Sequence, residues 1–450
     1  MDTSLIILAA GKGTRMNSEL PKVLHPIAGD PMLVHAMAAG ASLAPRHIVV
    51  VAGHGADEVT KAAQEYDETA TVVVQEEQLG TAHAVAQATD VLADFDGIAI
   101  VLYGDTPFVS PETLEEMMGA AEGSDVVVLG FEAADPGRYG RLVMEGLSLE
   151  RIVEFKDATA AERAITLCNS GVIACKAPLL FDLISKVENT NAASEYYLTD
   201  IIGLARARGL TATAVTCAEA ETLGVNSRAQ LAEAEQAFQT RARAALMADG
   251  VTLQAPDTVF LARDTVIGRD AHVEPHVVFG AGVTVESGAR IRAFSHLEGC
   301  HVSRGAIVGP YARLRPGAEL QENTRVGNFV EIKNATIAEG AKVNHLSYVG
   351  DAFVGAHANV GAGTITCNYD GVMKHHTHIG AYSFIGSNTM LVAPVHIGDG
   401  AMTGSGSVIT SDVEPDALAL ARAPQVEKPG MARKIMEMLK AKKARSQRSS

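Results

Sequence analysis

The sequence is poor in cysteine, short of positive charge and without any long apolar run. Its 450 residues hold five cysteines, Cys168, Cys175, Cys217, Cys300 and Cys367. An odd number without CxxC spacing suggests neither a disulfide framework nor a zinc site. The 37 basic and 53 acidic side chains leave a formal net charge of -16, which argues against general nucleic-acid binding. No stretch is long enough to span a bilayer, and Met1-Asp2-Thr3 puts no basic region before the short apolar run behind it. The expectation is a reduced, cytoplasmic enzyme with no nucleic-acid and no membrane partner. At this length the chain should hold at least two domains.

The C-terminal half lacks both the 3.6-residue period of a helix and the simple alternation of a lone strand. It repeats every six residues instead. Ile267, Val273, Phe279, Val285, Ile291 and Leu297 are strictly spaced, and after a one-residue slip Val302, Val308, Leu314, Leu320, Val326 and Ile332 continue the frame. Ile337, Val343 and Val349 follow a second slip, and Ile379, Ile385, Leu391 and Ile397 resume after a gap. A short strand plus a corner, repeated with the aliphatic residue inward, satisfies this spacing and predicts a parallel β-helix. The frame breaks over Cys367–His376, which must leave the solenoid, and such excursions are usually loops on a binding face.

The N-terminal half reads as alternating strand and helix. Short β-branched runs at Leu5–Ala9, Ile48–Val51, Val72–Val74, Ile98–Leu102 and Val126–Leu129 suit strands buried on both faces. Helical stretches at Pro31–Leu43, Thr81–Leu92 and Pro111–Ala121 lie between them. That order predicts a Rossmann-like α/β domain with a mostly parallel sheet. A long helix from the N-cap Ser227 to the stop at Asp249-Gly250 should connect it to the β-helix. The expected division is a nucleotide-binding domain over 1–226, a linker helix over 227–250, a β-helix over 251–422 and a basic tail over 423–450.

The first strand runs into Leu8-Ala9-Ala10-Gly11-Lys12-Gly13-Thr14-Arg15-Met16, followed by Pro21-Lys22-Val23-Leu24. A second Gly-Lys-Ser/Thr element is missing, so this is no Walker A loop, and Met16 stands where a dinucleotide fingerprint needs its third glycine. Glycines let backbone N–H groups approach an anion, a following helix N-terminus would add its dipole, and Arg15 and Lys22 would neutralise a polyphosphate. Asp105, in Tyr103-Gly104-Asp105-Thr106-Pro107, ends a predicted strand, where ligands collect in open α/β sheets.

The hexapeptide frame resembles the hexapeptide acyltransferase family, which implies a left-handed triangular prism, trimeric association and acyl-CoA in grooves between prisms. The Gly-rich string resembles the sugar-nucleotide pyrophosphorylase signature L-x-x-G-x-G-T-R-x followed by P-K-x-L. Together, over roughly Leu5 to Arg422, the chain resembles the bacterial bifunctional N-acetylglucosamine-1-phosphate uridylyltransferases and glucosamine-1-phosphate N-acetyltransferases. The resemblance implies synthesis of UDP-N-acetylglucosamine for cell-wall and lipopolysaccharide precursors, by a homotrimer joined through the β-helix. By family position, Arg15 and Lys22 act on the phosphates, and Leu8, Gly11, Gln75, Gly80, Thr81 and Tyr103 line the UTP site. Gly140, Glu154 and Asn169 hold the N-acetylglucosamine, and Asp105 and Asn226 ligate Mg²⁺, an ion suited to hard oxygen ligands.

In the second domain the resemblance makes His345 the general base, a residue type that titrates close enough to neutrality to take the amine proton. Arg315, Lys333, Tyr348 and Asn359 fall on sugar-phosphate positions. Ala362, Asn368, Tyr369, Ser387, Ser405 and Arg422 fall on acetyl-acceptor and acetyl-CoA positions, Ser405 standing where the family commonly has alanine. The His375-His376-Thr377-His378 run is read as a solvated loop in preference to a zinc site. The basic residues Lys428, Arg433, Lys434, Lys440, Lys442, Lys443, Arg445 and Arg448 read as a solvated, partly frayed tail, the alternative being a tail near an anionic cofactor. A rival function keeps the β-helix as a trimerisation or regulatory scaffold on a monofunctional pyrophosphorylase.

Overall fold

The computed structural model describes residues 2–191 and 193–447; Arg448 lies outside them. The chain divides into two compact units, Met1–Ala248 with Phe260–Thr265, and Asp249–Val259 with Val266–Ser450.

In the first unit the β-branched runs become strands, buried on both faces except at the edge strand Thr71–Val74, where no neighbouring strand among the described residues covers the outer side and Val74 is exposed. Across the sheet the order is Ala212–Cys217, Val126–Glu132, Leu167–Lys176, Ile98–Tyr103, Thr3–Ala9, His47–Ala52 and Thr71–Val74. All neighbours run parallel except Leu167–Lys176, which is antiparallel to both of its partners. Alternate residues of the first strand enter different cores: Ile6 and Leu8 pack on one side, Leu5 and Ile7 on the other. The helices Met32–Ala41, Thr81–Ala86 and Pro111–Ala120 fall where the sequence puts them, the second six residues shorter at its C-terminal end. Ser110 caps the third through its hydroxyl and Pro111 starts it. The long helix Arg228–Ala248 begins behind Ser227, whose Oγ accepts the Gln230 N–H at 3.3 Å.

The second unit is a three-sided parallel β-helix. Most coils stack on the next with a register step of 18 or 17 residues, as in Val273 opposite Ile291 and Ile291 opposite Val308, while the coil that carries the excursion after Cys367 steps by 25, as in Asn359 opposite Phe384. Every aliphatic residue of the six-residue frame points inward and is buried. Thus the one-residue slips in the sequence are corners shortened by one residue; the inward face never changes.

The excursion after Cys367 is a small hairpin. Tyr369 pairs with Lys374 across it, and regular pairing resumes with Ala352 opposite Thr377. Its apex, Val372 and Met373, is exposed. Asp370 braces it by accepting the N–H groups of Val372 (2.8 Å) and Met373 (2.7 Å) and by facing His375 Nε2 at 2.7 Å. The tail is not frayed: Met431–Ser446 is an α-helix, exposed along its length. No helix among the described residues is long and apolar enough to cross a membrane.

Candidate functional site

In the first unit the chain leaves Thr3–Ala9 towards one side of the sheet and adds Ile98–Tyr103 on the other. The C-terminal ends of these two neighbours therefore flank a crevice, the usual ligand position of an open α/β sheet. A cavity of about 320 Å³ opens there and brings together Leu8, Gly11, Lys22, Gln75, Gly80, Thr81, Tyr103 and Asp105. Gln75 is 3% exposed, fixed by its N–H on Ala52 O (2.8 Å) and by Nε2 on Gly80 O (3.1 Å). Gly80 has φ +122°, and a Cβ there would lie 2.5 Å from the Tyr196 carbonyl oxygen, so only glycine fits this turn.

Lys22, Asp105 and Asn226 meet at the edge of the cavity. The Lys22 ammonium is ion-paired with the Asp105 carboxylate and donates to Asn226 Oδ1 at 3.1 Å. Backbone geometry forces the meeting. The Val225 N–H donates to Asp105 O at 3.0 Å, and the Asn226 N–H donates to Gln230 Oε1 at 2.9 Å. Gly13, at φ +59°, leaves room for the Lys22 stem, which a Cβ would approach to 2.5 Å. Two hard oxygen donors converge on one cation, which is the donor chemistry that Mg²⁺ takes. Arg15 is not gathered with them: it is exposed and does not line the cavity. The expected helix dipole is also reduced, because the Gly-rich turn leads only into the single 3-10 turn Thr14–Met16.

Gly140, Glu154 and Asn169 adjoin one another. A Cβ on Gly140 would lie 3.3 Å from Glu154 Oε1 and 3.5 Å from Asn169 Cβ, and the Asn169 N–H donates to Gly140 O at 2.9 Å. Burial raises the Glu154 carboxyl above its usual range, the Asp200 and Asp157 charges add to that, and a 3.3 Å bond from Thr199 Oγ1 opposes it. Tyr103 links the two groups. Desolvation, followed by the charges of Asp105 and Glu154, pushes its phenol far up, so it stays a neutral donor.

On the β-helix His345 ends one strand and stands directly above Asn328 of the previous coil. His345 Nδ1 faces Asn328 Oδ1 at 2.8 Å. An amide oxygen only accepts, so Nδ1 carries the proton and Nε2 keeps its lone pair for a substrate. Above His345 the same corner rises through Ala362, Ser387 and Ser405. The Gly363 N–H donates to His345 O, the Asn388 N–H to Ala362 O, and the Gly406 N–H to Ser387 O. Arg422 closes this line by donating Nη1 to Ser405 O at 2.6 Å, so the serine's carbonyl makes the contact and its side chain is not used. Asn359 faces outward from the strand that leads to Ala362.

Arg315, Lys333, Tyr348 and Asn368 gather on a different face. Arg315 Nη1 pairs with Glu331 Oε1 at 2.8 Å, and Asn368 Nδ2 donates to the Tyr348 hydroxyl at 3.4 Å. Lys374, on the hairpin, comes within hydrogen-bonding reach of Lys333. Its proximity and like charge hold the Lys333 ammonium below the usual lysine range. A phosphate placed among Arg315, Lys333 and Lys374 would relieve this repulsion. Tyr369 is largely exposed, its hydroxyl donating to Gly371 O.

Three residues with evident work were missed in the sequence: Asn328, Lys374 and Asp351. Asn328 precedes His345 by 17 residues, and Asp351 follows Asn334 and precedes Asn368 by 17. One coil is that long, so counting back a turn from each candidate would have found them. Lys374 carries no such signal, because it sits on the hairpin outside the frame. Only part of the histidine run is loop: His375 faces Asp370 and His376 is exposed, but Thr377 is already buried in the next strand. His378 instead stacks between Phe353 (4.9 Å) and His396 (4.5 Å).

Comparison with known proteins agrees in both halves. Residues 5–181 match the MobA-like NTP transferase domain, and residues 376–411 match the bacterial transferase hexapeptide (six repeats). The bifunctional protein GlmU of Roseobacter denitrificans is 70% identical over 450 residues, covering all of both chains. That of Ruegeria pomeroyi is also 70% identical over 450 residues and 100% of each chain. That of Ruegeria sp. is 69% identical over 444 residues, 99% of each. The chain belongs to the family of the bifunctional protein GlmU.

Proposed function

We propose that this protein acetylates glucosamine 1-phosphate with acetyl-CoA on its β-helix and then transfers uridylyl from UTP to the resulting N-acetylglucosamine 1-phosphate. The products are CoA, pyrophosphate and UDP-N-acetylglucosamine, a precursor for cell wall and lipopolysaccharide. The observation that carries the second activity is His345, oriented by Asn328, on the same solenoid as the cationic cluster of Arg315, Lys333 and Lys374. A scaffold has no use for both an oriented base and a cationic phosphate site.

In acetyl transfer the phosphate of the acceptor rests on the cationic cluster. The amine attacks the thioester carbonyl, His345 Nε2 takes the amine proton, and the CoA thiolate leaves. The coenzyme follows the corner from His345 through Ala362, Ser387 and Ser405 to Arg422, with Tyr369 beside it. His345 and Asn359 face one side of that corner, while Arg315, Lys333, Tyr348 and Asn368 face the other. A site that uses both sets is most simply closed between two prisms of a homotrimer. Mixing His345→Ala chains with Lys333→Ala chains tests this. Shared sites regain acetylation in the mixed trimers, and self-contained sites stay inactive.

In uridylyl transfer a phosphate oxygen of N-acetylglucosamine 1-phosphate attacks the α-phosphorus of UTP and pyrophosphate departs. Such transfers depend on positioning and charge neutralisation. Gln75 and Gly80-Thr81 take the uracil; Gly140, Glu154 and Asn169 take the sugar. Asp105 and Asn226 hold Mg²⁺, which when bound neutralises developing charge on the phosphates. Lys22 turns to the phosphates, and Arg15 reaches them from the exposed turn once UTP is present. Residues 1–226 carry this chemistry and 251–422 the acetylation, with 227–250 as linker helix. UTP and acetyl-CoA as co-substrates suit a cytoplasmic setting.

A further inference from the structure

The corner of the β-helix beyond Lys333 carries a vertical polar column, Asn334, Asp351 and Asn368, one residue per coil. Asn334 Nδ2 donates to Asp351 Oδ1 at 2.7 Å, and Asn368 Nδ2 donates to Asp351 Oδ2. Asp351 is 9% exposed and Asn368 is 7% exposed. Asn334 and Asp351 both hold left-handed backbone, at φ 44° and 47°. One coil below, the corner is Pro316-Gly317, and a Cβ on Gly317 would lie 3.0 Å from Asn334 Oδ1 and Cα. Stacked side-chain polarity in this corner therefore starts at Asn334 and ends at the proposed acetylation site.

An ionised carboxylate can only accept hydrogen bonds. Asp351 thus dictates which way round the Asn368 amide sits: its NH₂ turns to Asp351 and to the Tyr348 hydroxyl. Among the described residues Asn368 Oδ1 accepts nothing. Burial alone would raise the Asp351 carboxyl, but the Asn334 and Asn368 amides and the Lys374 and Lys333 ammoniums outweigh it and hold it below the usual range, so it stays ionised.

We propose that Asp351 is a positioning residue for acetyl transfer, which turns the Asn368 amide so that its Oδ1 is offered to an N–H of the acceptor amine. The proposal rests on the acetyltransferase reading above. With one N–H held by Oδ1, the amine lone pair points at the thioester and a second N–H is left for His345. No charge moves through Asp351, and it does not touch the substrate.

The test uses the full-length protein, with glucosamine 1-phosphate and acetyl-CoA. Asp351→Asn removes the acceptor-only constraint and frees the Asn368 amide to flip. It should lower kcat/KM for glucosamine 1-phosphate by about ten- to a hundredfold, the range expected of a misplaced reacting group. KM for acetyl-CoA and the uridylyl transfer rate should stay at wild-type values. The exchange variant Asp351→Asn with Asn368→Asp restores an amide-to-carboxylate bond and leaves a carboxylate oxygen facing the amine. It should recover to within about threefold of wild type. The positioning role is overturned if Asp351→Asn stays within about twofold of wild type. It is equally overturned if the exchange variant regains the melting temperature but none of the lost kcat/KM. If the unmodified protein releases no CoA with this acceptor, the acetyltransferase reading itself has failed.

Discussion

Lys22 and Asp105 form an ion pair at the edge of the nucleotide cavity, and the same ammonium bonds Asn226 Oδ1 at 3.1 Å. The lysine thus holds both side chains proposed to ligate Mg²⁺, and in the absence of nucleotide it competes with the ion for them. UTP would break the deadlock by offering Lys22 its phosphates.

Lys22→Met should therefore raise the affinity of the nucleotide-free protein for Mn²⁺ by about tenfold or more, a change of ~1.4 kcal/mol. Calorimetric titration without UTP reads this directly. The variant should at the same time lose uridylyl transfer, because Lys22 no longer reaches the phosphates. Equal Mn²⁺ affinities in the two proteins would show that the ion pair does not guard the site.

Glu154 and Asp200 are raised by burial first, then by neighbouring carboxylates. A carboxyl raised in the folded state contributes stability that is complete below its unfolded value, about 4. That contribution is lost as the pH rises through the folded value. Glu154→Gln should accordingly match the parent near pH 4 and become the more stable protein between pH 6 and 8. Thermal unfolding across that range decides it, and a pH-independent difference would contradict the assignment. Glutamine keeps one acceptor for a sugar hydroxyl, so KM for N-acetylglucosamine 1-phosphate should rise without loss of the fold.

A fragment from about Val251 to the C-terminus should fold and trimerise, since solenoid coils need only their neighbours for stability. It should also acetylate glucosamine 1-phosphate. Sedimentation with a CoA-release assay checks both properties. A folded monomer with full acetyltransferase activity would refute the shared site.

The β-helix was legible almost to the residue because its signal is strictly local. An inward aliphatic at every sixth position has one structural meaning, and each such residue is buried. The parallel strands were legible for a similar reason, their Val- and Ile-rich runs being buried on both faces, except that the edge strand Thr71–Val74 carries the same composition without the burial. The hairpin Arg141–Glu145 and Ser148–Val153 was not, because the apolar run of its first strand is only three residues long and Glu150 and Arg151 interrupt the second. At the sites, motif residues were visible and their supports were not. Asn328 and Asp351 act across a coil, a distance of 17 residues that no local pattern spans. Lys374 reaches Lys333 only because the hairpin folds back. Arg15 shows the opposite failing: its motif is clear, yet it is exposed and does not line the cavity.

Two separate active sites on one chain are tested most directly by one paired measurement. CoA release and pyrophosphate release should be followed separately in the parent protein, in His345→Ala and in Asp105→Ala. His345→Ala should lose acetylation by about two to four powers of ten, the usual worth of a positioned base, while still releasing pyrophosphate from UTP and supplied N-acetylglucosamine 1-phosphate at the parent rate. Asp105→Ala should do the reverse, losing pyrophosphate release and keeping CoA release. Should either substitution, in a folded protein, depress both signals equally, or should His345→Ala acetylate within a few-fold of the parent, the two-site account is wrong.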